Sequence, residues 1–137
     1  MKTRAILITG ANGEVGHGLI DRFYQDPASP PIVALDMRPL DDAMRPYVYE
    51  SRVGNILDVG LLADLNAEYE FDAIYHLAAL LSTHAERHPE AAHQVNVQGT
   101  VNLLHLAAQQ AAARAEDVKF LFPSSVAVYG LPDLTTK

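Results

Sequence analysis

The sequence predicts an α/β protein with a doubly wound parallel sheet, on the strength of three observations. Short apolar runs alternate with segments of helical periodicity along the chain. A glycine-rich turn lies directly between the first apolar run and the first helical segment. Within each apolar run, polar residues do not occupy every second position, which is typical of parallel strands covered on both faces. Such strands need right-handed helical crossovers, and the predicted order of five strands is 3-2-1-4-5.

The individual elements follow from their residues, taken in chain order. Strands are predicted where apolar runs are bounded by turn residues, at positions 5–9, 32–36, 47–53, 73–79 and 118–122. Helices are predicted where apolar residues recur at helical spacing: from inside the glycine turn to about Asp26, at 59–65, and from Pro89 to about Arg114. Pro89 suits a first helical turn because proline lacks the N–H that is unpaired there. A loop then runs from Pro123 to the last residue.

Composition restricts the class of protein. The 137 residues fit one domain, 1–137, and 49% hydrophobic against 20% charged residues is typical of a globular chain. The formal net charge of −7 makes nucleic acid an unexpected partner because its phosphates would be repelled. The sequence has no cysteine, and no apolar stretch approaches the roughly 20 residues that span a bilayer. We therefore expect a cytoplasmic protein without disulfides and without a membrane role.

A glycine-rich turn follows the first predicted strand. Its sequence, Gly10-Ala11-Asn12-Gly13-Glu14-Val15-Gly16, repeats glycine at every third position between a strand and a helix. The first glycine permits a tight turn, the second permits backbone N–H groups to approach a diphosphate, and the third permits close packing of helix and strand. The diphosphate would lie at the positive end of the helix dipole. The pattern is typical of a Rossmann-type dinucleotide-binding domain; a glycine-rich turn without a ligand is the alternative.

An acidic residue ends the second predicted strand. Asp36 follows Gly16 by twenty positions, and a carboxylate there can accept both hydroxyl groups of an adenosine ribose. The same carboxylate would repel the 2′-phosphate of NADP, so the sequence predicts NAD as the cofactor, with neighbouring Arg38 softening the discrimination. The alternative is that Asp36 is a surface acid of a loop.

Four motifs in a fixed order establish a family resemblance. They are residues 9–16, His76-Leu77-Ala78-Ala79, Asn96-Val97-Gln98-Gly99-Thr100 and Ser124-Ser125-Val126-Ala127-Val128-Tyr129-Gly130. With these motifs, which span nearly the whole chain, the sequence resembles the extended short-chain dehydrogenase/reductase family. That family contains NAD-dependent sugar epimerases, dehydratases and a branch of L-threonine 3-dehydrogenases. The resemblance implies an oxidoreductase or isomerase that transfers hydride at a secondary alcohol of a small molecule.

The resemblance also implies roles for individual residues. The expected cofactor-binding residues are Gly10, Asn12, Gly13, Glu14, Val15 and Gly16 in the turn, Asp36 at the ribose, Asn55 and Ile56 near the adenine, and Leu77, Ala78 and Ala79 beside the nicotinamide ribose. Ser125 matches the catalytic serine or threonine, which hydrogen-bonds the substrate oxygen, and Ser82 is expected to face the substrate. A hydroxyl just past the carboxyl end of a strand lies where ligands bind in such sheets. The alternative is that Ser124 and Ser125 only terminate the strand.

One part of the family's catalytic apparatus is missing from the sequence. The family's general base is the tyrosine of a Tyr-x-x-x-Lys motif, and no tyrosine here has a lysine at the fourth following position; Tyr129, for example, is followed by Asp133. The chain is therefore expected to be the N-terminal part of a longer enzyme, truncated by proteolysis or design before the catalytic helix and the substrate half, and inactive alone. The alternative is a non-catalytic NAD-binding sensor or scaffold module.

Two details favour the threonine dehydrogenase branch. Glu14 is polar where most sugar epimerases carry an aromatic residue, and residues 79–83 and 123–128 also resemble that branch. The expected substrate is L-threonine or a nucleotide sugar, and the choice stays open. The resemblance implies a homodimer through the long helix when the protein is complete. In the chain alone, the fifth strand would expose an unpaired edge, which weakens the fold.

The histidines raise the question of a metal site. His84 and His88 share a helical face, but Glu86 is misplaced for a His-Glu-x-x-His motif and no third ligand is evident. We expect the histidines to be surface or capping residues, with His76 packed in a strand, and no metal is predicted.

Overall fold

The predicted strands form one parallel sheet. The computed structural model describes residues 1–130, and the fold is given for these. Their strands are β1 (Thr3–Thr9), β2 (Ile32–Asp36), β3 (Glu50–Val53), β4 (Tyr69–His76) and β5 (Lys119–Leu121). Neighbours pair in parallel in the order β3-β2-β1-β4-β5, which confirms the predicted fold class and strand order. The end of the predicted terminal loop, 131–137, lies outside the described residues.

Helices connect the strands and cover both faces of the sheet. They are α1 (Glu14–Tyr24), α2 (Val59–Glu68), α3 (Ser82–Arg87), α4 (Pro89–His93) and α5 (Gly99–Arg114), with a π-helical turn at Gln94–Gln98 between the last two. Single 3₁₀ turns lie at Arg45–Tyr47 and Val126–Tyr129. The side chain of Asp58 caps α2, because its Oδ1 accepts the N–H groups of Gly60 and Leu61 at 2.9 and 3.1 Å.

Several element boundaries differ from the prediction, and three elements differ most. The fourth strand starts earlier and ends at His76, because residues 77–79 leave the sheet and run along a cavity. The third strand is shorter, because a 3₁₀ turn containing Pro46 occupies its predicted start. The predicted long helix is interrupted by the π-helical turn, in which the Gly99 N–H bonds to the Gln94 carbonyl five residues back. The short helix α3 before it was not predicted.

The core consists of two layers, one on each side of the sheet. Residues of β1 alternate between them: Ala5 and Leu7 are buried in one layer, Ile6 and Ile8 in the other. Side chains of α2 and α5 complete the first layer, and side chains of α1 complete the second. This burial on both faces explains why the sequence of β1 is apolar throughout.

A bulge in β4 is held by two side chains of α5. The bulge lies at Asp72, where the register against β1 shifts by one residue. The buried Gln110 spans it: its Nε2 donates to the Tyr69 carbonyl at 2.8 Å, and its Oε1 accepts from the Phe71 N–H at 2.6 Å. Arg114 donates to the Phe71 carbonyl at 2.9 Å and to the Asp72 carboxylate at 3.2 Å. The amino end of β4 is therefore fixed to the long helix.

Candidate functional site

A cavity of about 590 Å³ lies at the carboxyl ends of β1, β2 and β4. Ligands bind at this edge of open α/β sheets, and the volume suits a small molecule. Eleven of the predicted cofactor-binding residues line the cavity: Gly10, Gly13, Glu14, Val15, Gly16, Asp36, Asn55, Ile56, Leu77, Ala78 and Ala79. Arg38, which the sequence analysis places beside the ribose, also lines the cavity. The lining further includes residues that the sequence did not assign to the site: Leu35, Met37, Gly54, Leu80, Leu81, Val95 and Pro123.

The glycine-rich turn forms one side of the cavity, and neighbouring backbone leaves no room for larger residues there. Gly10 has a φ of +65°, and a Cβ at this position would lie 2.7 Å from the Ala78 backbone nitrogen. A Cβ on Gly16 would lie 2.4 Å from the Ala11 carbonyl oxygen. Gly13 precedes α1 in extended conformation, so no capping side chain covers the first N–H groups of the helix. Those N–H groups and the helix dipole favour an anion at this point.

Asp36 lies at the end of β2, where two backbone N–H groups hold its carboxylate. Oδ2 accepts from Asn12 and Oδ1 accepts from Arg38, both at 3.0 Å. A carboxylate offers about four acceptor positions, so each oxygen can still accept a hydroxyl group. The orientation of Asp36 therefore fits a ribose that has both hydroxyl groups free.

Asn12 is placed differently from the other turn residues. Its side chain turns to the loop after β2: Nδ2 donates to the Pro39 carbonyl at 3.3 Å, and Oδ1 accepts from the Asp41 N–H at 3.0 Å. The His17 Nε2 also lies 3.0 Å from this Oδ1. Asn12 does not line the cavity. Its side chain fixes the loop next to Asp36, and its backbone N–H orients the Asp36 carboxylate.

The loop at Asn55 and Ile56 forms the far end of the cavity. The side chain of Asn55 accepts the Leu57 N–H at 2.9 Å. The Ile56 carbonyl accepts from the Asn102 side chain of α5 at 3.1 Å. A Cβ on Gly99 would lie 2.4 Å from the Ile56 Cδ1, so the loop lies directly against α5. The sequence predicted the loop but not its support by the helix.

Residues 77–81 form a wall of the cavity directly beside Gly10 of the glycine-rich turn, and we call this segment the cavity wall. The Leu77 N–H donates to the Thr9 carbonyl at 3.1 Å, and the Ala78 N–H donates to the Thr9 Oγ1 at 3.3 Å. The Asn96 side chain accepts from the Leu80 N–H at 2.8 Å and donates to the Leu80 carbonyl at 3.0 Å. The end of β1 and the π-helical turn thus fix the backbone of the wall.

His76 lies beneath the cavity wall and is 1% exposed, as its predicted packing in a strand requires. Its Nδ1 lies 2.8 Å from the Thr9 Oγ1, and its Nε2 lies 2.8 Å from the Thr100 Oγ1. Burial lowers the pKa of His76 below its ordinary value. The sequence motifs include all three residues, but only the fold brings them into contact.

The two predicted substrate-site serines are not part of the cavity lining. Ser125 precedes the 3₁₀ turn at Val126–Tyr129, and its Oγ accepts the Ala127 N–H at 3.2 Å. The cavity reaches Pro123, two residues before it. Ser82 is the first residue of α3 and is exposed, directly after Leu81 of the cavity wall. Both serines therefore follow a residue of the cavity lining closely in the sequence: Ser82 comes directly after Leu81, and Ser125 comes two positions after Pro123.

Two further findings concern residues 1–130 only. These residues contain no group of three His, Cys, Asp or Glu side chains placed to hold a metal ion. None of their helices has the length and apolar character that crossing a membrane requires.

The sheet order, the glycine-rich turn at the amino end of α1 and the carboxylate at the end of β2 define a Rossmann-type dinucleotide-binding fold. A sequence model described as the NAD dependent epimerase/dehydratase family matches residues 6–136, and the chain belongs to this family. The predicted resemblance is thereby confirmed, and so is NAD, as the cofactor of the family.

Known relatives are longer than this chain. An uncharacterized epimerase/dehydratase of Staphylococcus aureus is 30% identical over 129 residues, which are 93% of this chain and 38% of that protein. A monomeric L-threonine 3-dehydrogenase from a metagenome is 32% identical with a TM-score of 0.75, over 91% of this chain and 37% of that one. L-threonine dehydrogenase from Clostridium difficile is 28% identical with a TM-score of 0.71, over 93% and 38%. A nucleoside-diphosphate-sugar epimerase from Agrobacterium tumefaciens, 24% identical, shares the fold with a TM-score of 0.75 over 96% and 40%.

Proposed function

We propose that this chain is the NAD-binding part of an oxidoreductase that transfers hydride at a secondary alcohol, with L-threonine favoured as the substrate over a nucleotide sugar. One observation carries the proposal: a single cavity combines a glycine-rich turn, the amino end of a helix and the carboxylate of Asp36. This combination suits a diphosphate joined to a ribose.

The residues present fit NAD at the diphosphate and at the adenosine ribose. The backbone at Gly10, Gly13 and Gly16 would hold the diphosphate, since these residues line the cavity and no side chain caps the start of α1. Asp36 would accept the two ribose hydroxyl groups with the acceptor positions that Asn12 and Arg38 leave free. A 2′-phosphate there would add negative charge beside a carboxylate, which favours NAD over NADP.

The remaining cavity residues suit the two rings. Asn55 and Ile56 would lie along the adenine, and the small side chains of Ala78 and Ala79 would admit the nicotinamide ribose. Bound NAD supplies the hydride acceptor. Ser125 would hydrogen-bond the substrate oxygen, because its hydroxyl accepts the Ala127 N–H and still has a proton to donate. Ser82 would contact the substrate from the start of α3.

The choice of substrate is supported by similarity. Solved L-threonine dehydrogenases are 28–32% identical to this chain, whereas two sugar epimerases are 24% identical. The polar residue Glu14 is one of the sequence details that favour the threonine dehydrogenase branch. It lines the cavity. A homodimer through α5 is a separate proposal, which light scattering of the complete protein would test.

Calorimetric titration with NAD tests the cofactor proposal. Asp36→Ala should weaken NAD binding about ten- to hundredfold, because the hydrogen bonds of the hydroxyl groups to a charged group are lost. It should also remove the preference for NAD over NADP. Asp64→Ala, at an exposed position of α2, is the matched control and should bind like the wild type. NAD binding that is unaffected by Asp36→Ala would overturn the assignment of the ribose site.

Turnover by the complete protein tests the reaction. L-threonine with NAD should give NADH, whereas a nucleotide sugar should give its epimer without net NADH. The alternative of a non-catalytic module predicts NAD binding with neither reaction, and it was raised by the missing Tyr-x-x-x-Lys motif.

A further inference from the structure

A chain of hydrogen bonds runs from the cavity wall through the interior to the long helix. The Ala78 N–H lies 3.3 Å from the Thr9 Oγ1, and Thr9 lies 2.8 Å from the Nδ1 of His76. The His76 Nε2 lies 2.8 Å from the Thr100 Oγ1, which lies 2.7 Å from the Asn96 carbonyl. The chain connects β1, β4, the π-helical turn and α5 at the point where the wall begins.

The donor and the acceptor of each hydrogen bond can be assigned by starting from the Asn96 carbonyl, where the chain of hydrogen bonds ends. A carbonyl oxygen only accepts, so the Thr100 hydroxyl donates to Asn96 and its oxygen accepts from the His76 Nε2–H. A neutral imidazole with its proton on Nε2 has Nδ1 as an acceptor, so the Thr9 hydroxyl donates to Nδ1. The Thr9 oxygen is then free to accept the Ala78 N–H. Only neutral His76 in the Nε2–H form satisfies the whole chain.

The backbone of the cavity wall is in close contact with Gly10 of the glycine-rich turn. The position of a Cβ on Gly10 lies 2.7 Å from the Ala78 nitrogen and 2.8 Å from the Leu77 carbonyl carbon. A shift of the Ala78 backbone therefore requires Gly10 or the cavity wall to move, and both line the cavity in which NAD would lie.

We propose that His76 is a positioning residue, which holds the cavity wall through Thr9 against the glycine-rich turn in the position that binds NAD, and that it does so only as the neutral Nε2–H form. The inference depends on the proposed NAD site. His76 itself does not line the cavity, so its effect on binding is transmitted by Thr9 and Ala78.

The groups of residues 1–130 that pack against His76 carry no charge that would balance a protonated ring. Thr9 of β1 and Thr100 of α5 are neutral, and Phe120 and Phe122 face the ring with centroids at 6.1 and 5.6 Å. Burial is the cause of the lowered pKa. A proton on Nδ1 would force the Thr9 hydroxyl to turn its own proton away, which costs this buried hydroxyl its acceptor and favours a reorientation of Thr9 next to Ala78.

Nitrogen NMR of the histidine rings tests the ring state in the full chain. The His76 signals should show the Nε2–H form without NAD, and saturation with NAD should move the His76 titration to lower pH, since ligand and proton effects are reciprocal. The exposed His105 is an internal control, whose signals should not respond to NAD. A neutral His76 with its proton on Nδ1, or a His76 titration that does not change when NAD binds, would overturn the proposal.

Binding by variants provides the second test. Thr9→Val keeps the shape of the side chain and removes the hydroxyl, so NAD should bind about five- to tenfold more weakly, the equivalent of one net hydrogen bond. Thr9→Ser keeps the hydroxyl and should bind within about twofold of the wild type. If Thr9→Val does not fold, Thr100→Val at the other end of the chain takes its place.

The outcomes separate the two proposals. A wild type that does not bind NAD overturns the proposed function and this inference with it. A wild type that binds NAD, together with folded Thr9→Val and Thr100→Val variants that bind equally well, overturns this inference alone.

Discussion

The absence of a side chain on Gly99 allows α5 to lie against Ile56. A Cβ on Gly99 would lie 2.4 Å from the Ile56 Cδ1 and 2.7 Å from its Cγ1. Ile56 lines the cavity, and the Asn102 side chain donates to its carbonyl at 3.1 Å. The loop that ends the cavity is therefore shaped by the helix behind it.

Gly99→Ala should destabilise the fold even though alanine favours helices over glycine by about 1 kcal/mol. The clash with Ile56 costs about 1–3 kcal/mol because the core is already packed, and it displaces a residue of the cavity. Urea unfolding measures the change, and NAD titration measures its effect on the site. Gly18→Ala in α1 is the matched control: its Cβ would meet no described atom within 4 Å, so it should stabilise the fold.

A double variant separates the clash from other effects of the Gly99 substitution. Ile56→Ala in the Gly99→Ala background removes the atoms that the new Cβ meets. The two substitutions together should therefore cost less than the sum of the single ones. Strict additivity of the free energies of unfolding would contradict the assigned contact.

Gly10→Ala should have a larger effect, because the obstacle is backbone. The residue has a φ of +65°, and its Cβ would lie 2.7 Å from the Ala78 nitrogen. We expect a loss of about 3 kcal/mol or more in the free energy of unfolding, together with loss of NAD binding. Gly130→Ala is the comparison, since φ there is +68° but no atom of residues 1–130 lies within 4 Å of the added Cβ. It should cost only the backbone strain, about 1–3 kcal/mol and less than the loss at Gly10; equal losses would contradict the close packing at Gly10.

Gln110→Ala should destabilise the fold by about 2–4 kcal/mol, because two buried backbone groups lose their partners. These are the Tyr69 carbonyl and the Phe71 N–H on either side of the bulge in β4. Gln109→Ala, at the exposed neighbouring position, should change the free energy of unfolding by no more than about 0.5 kcal/mol. Urea melts of the two variants test the difference, and a similar small effect for both would mean that the bulge does not depend on Gln110.

The parts of the fold that the sequence predicted are those encoded locally. The apolar run of β1, the glycine-rich turn and the acid at the end of β2 each need only neighbouring residues to be recognised. The parallel order follows because helices separate the strands. Eleven of the assigned cofactor residues share one cavity for the same reason: turns that follow parallel strands meet at one edge of the sheet.

The features that the sequence did not predict depend on distant contacts. The Asn12 side chain serves the loop after β2 instead of the cavity, which requires residues up to 29 positions away. His76 meets Thr9 across 67 positions and Thr100 across 24. The fourth strand ends at His76 although the apolar run continues, because Asn96 and Thr9 take the backbone of the wall out of the sheet. No local periodicity reports such partners.

The pH dependence of stability provides the last prediction. A histidine in the unfolded chain takes up a proton near its ordinary pKa of 6.5, whereas folded His76 stays neutral to lower pH. The unfolded state then binds more protons, so the free energy of unfolding should fall as pH falls from about 6.5 towards the lowered pKa, by up to about 1.4 kcal/mol per pH unit.

The His76→Gln variant should be less stable than the wild type at about pH 8, and the difference between their free energies of unfolding should shrink as the pH falls. Lowered pKa values of Glu50 and Glu116 remove stability in the same direction at more acidic pH, and equally in both proteins. Urea midpoints across this range measure the effect; parallel curves for His76→Gln and the wild type would show that His76 is not held neutral by the fold.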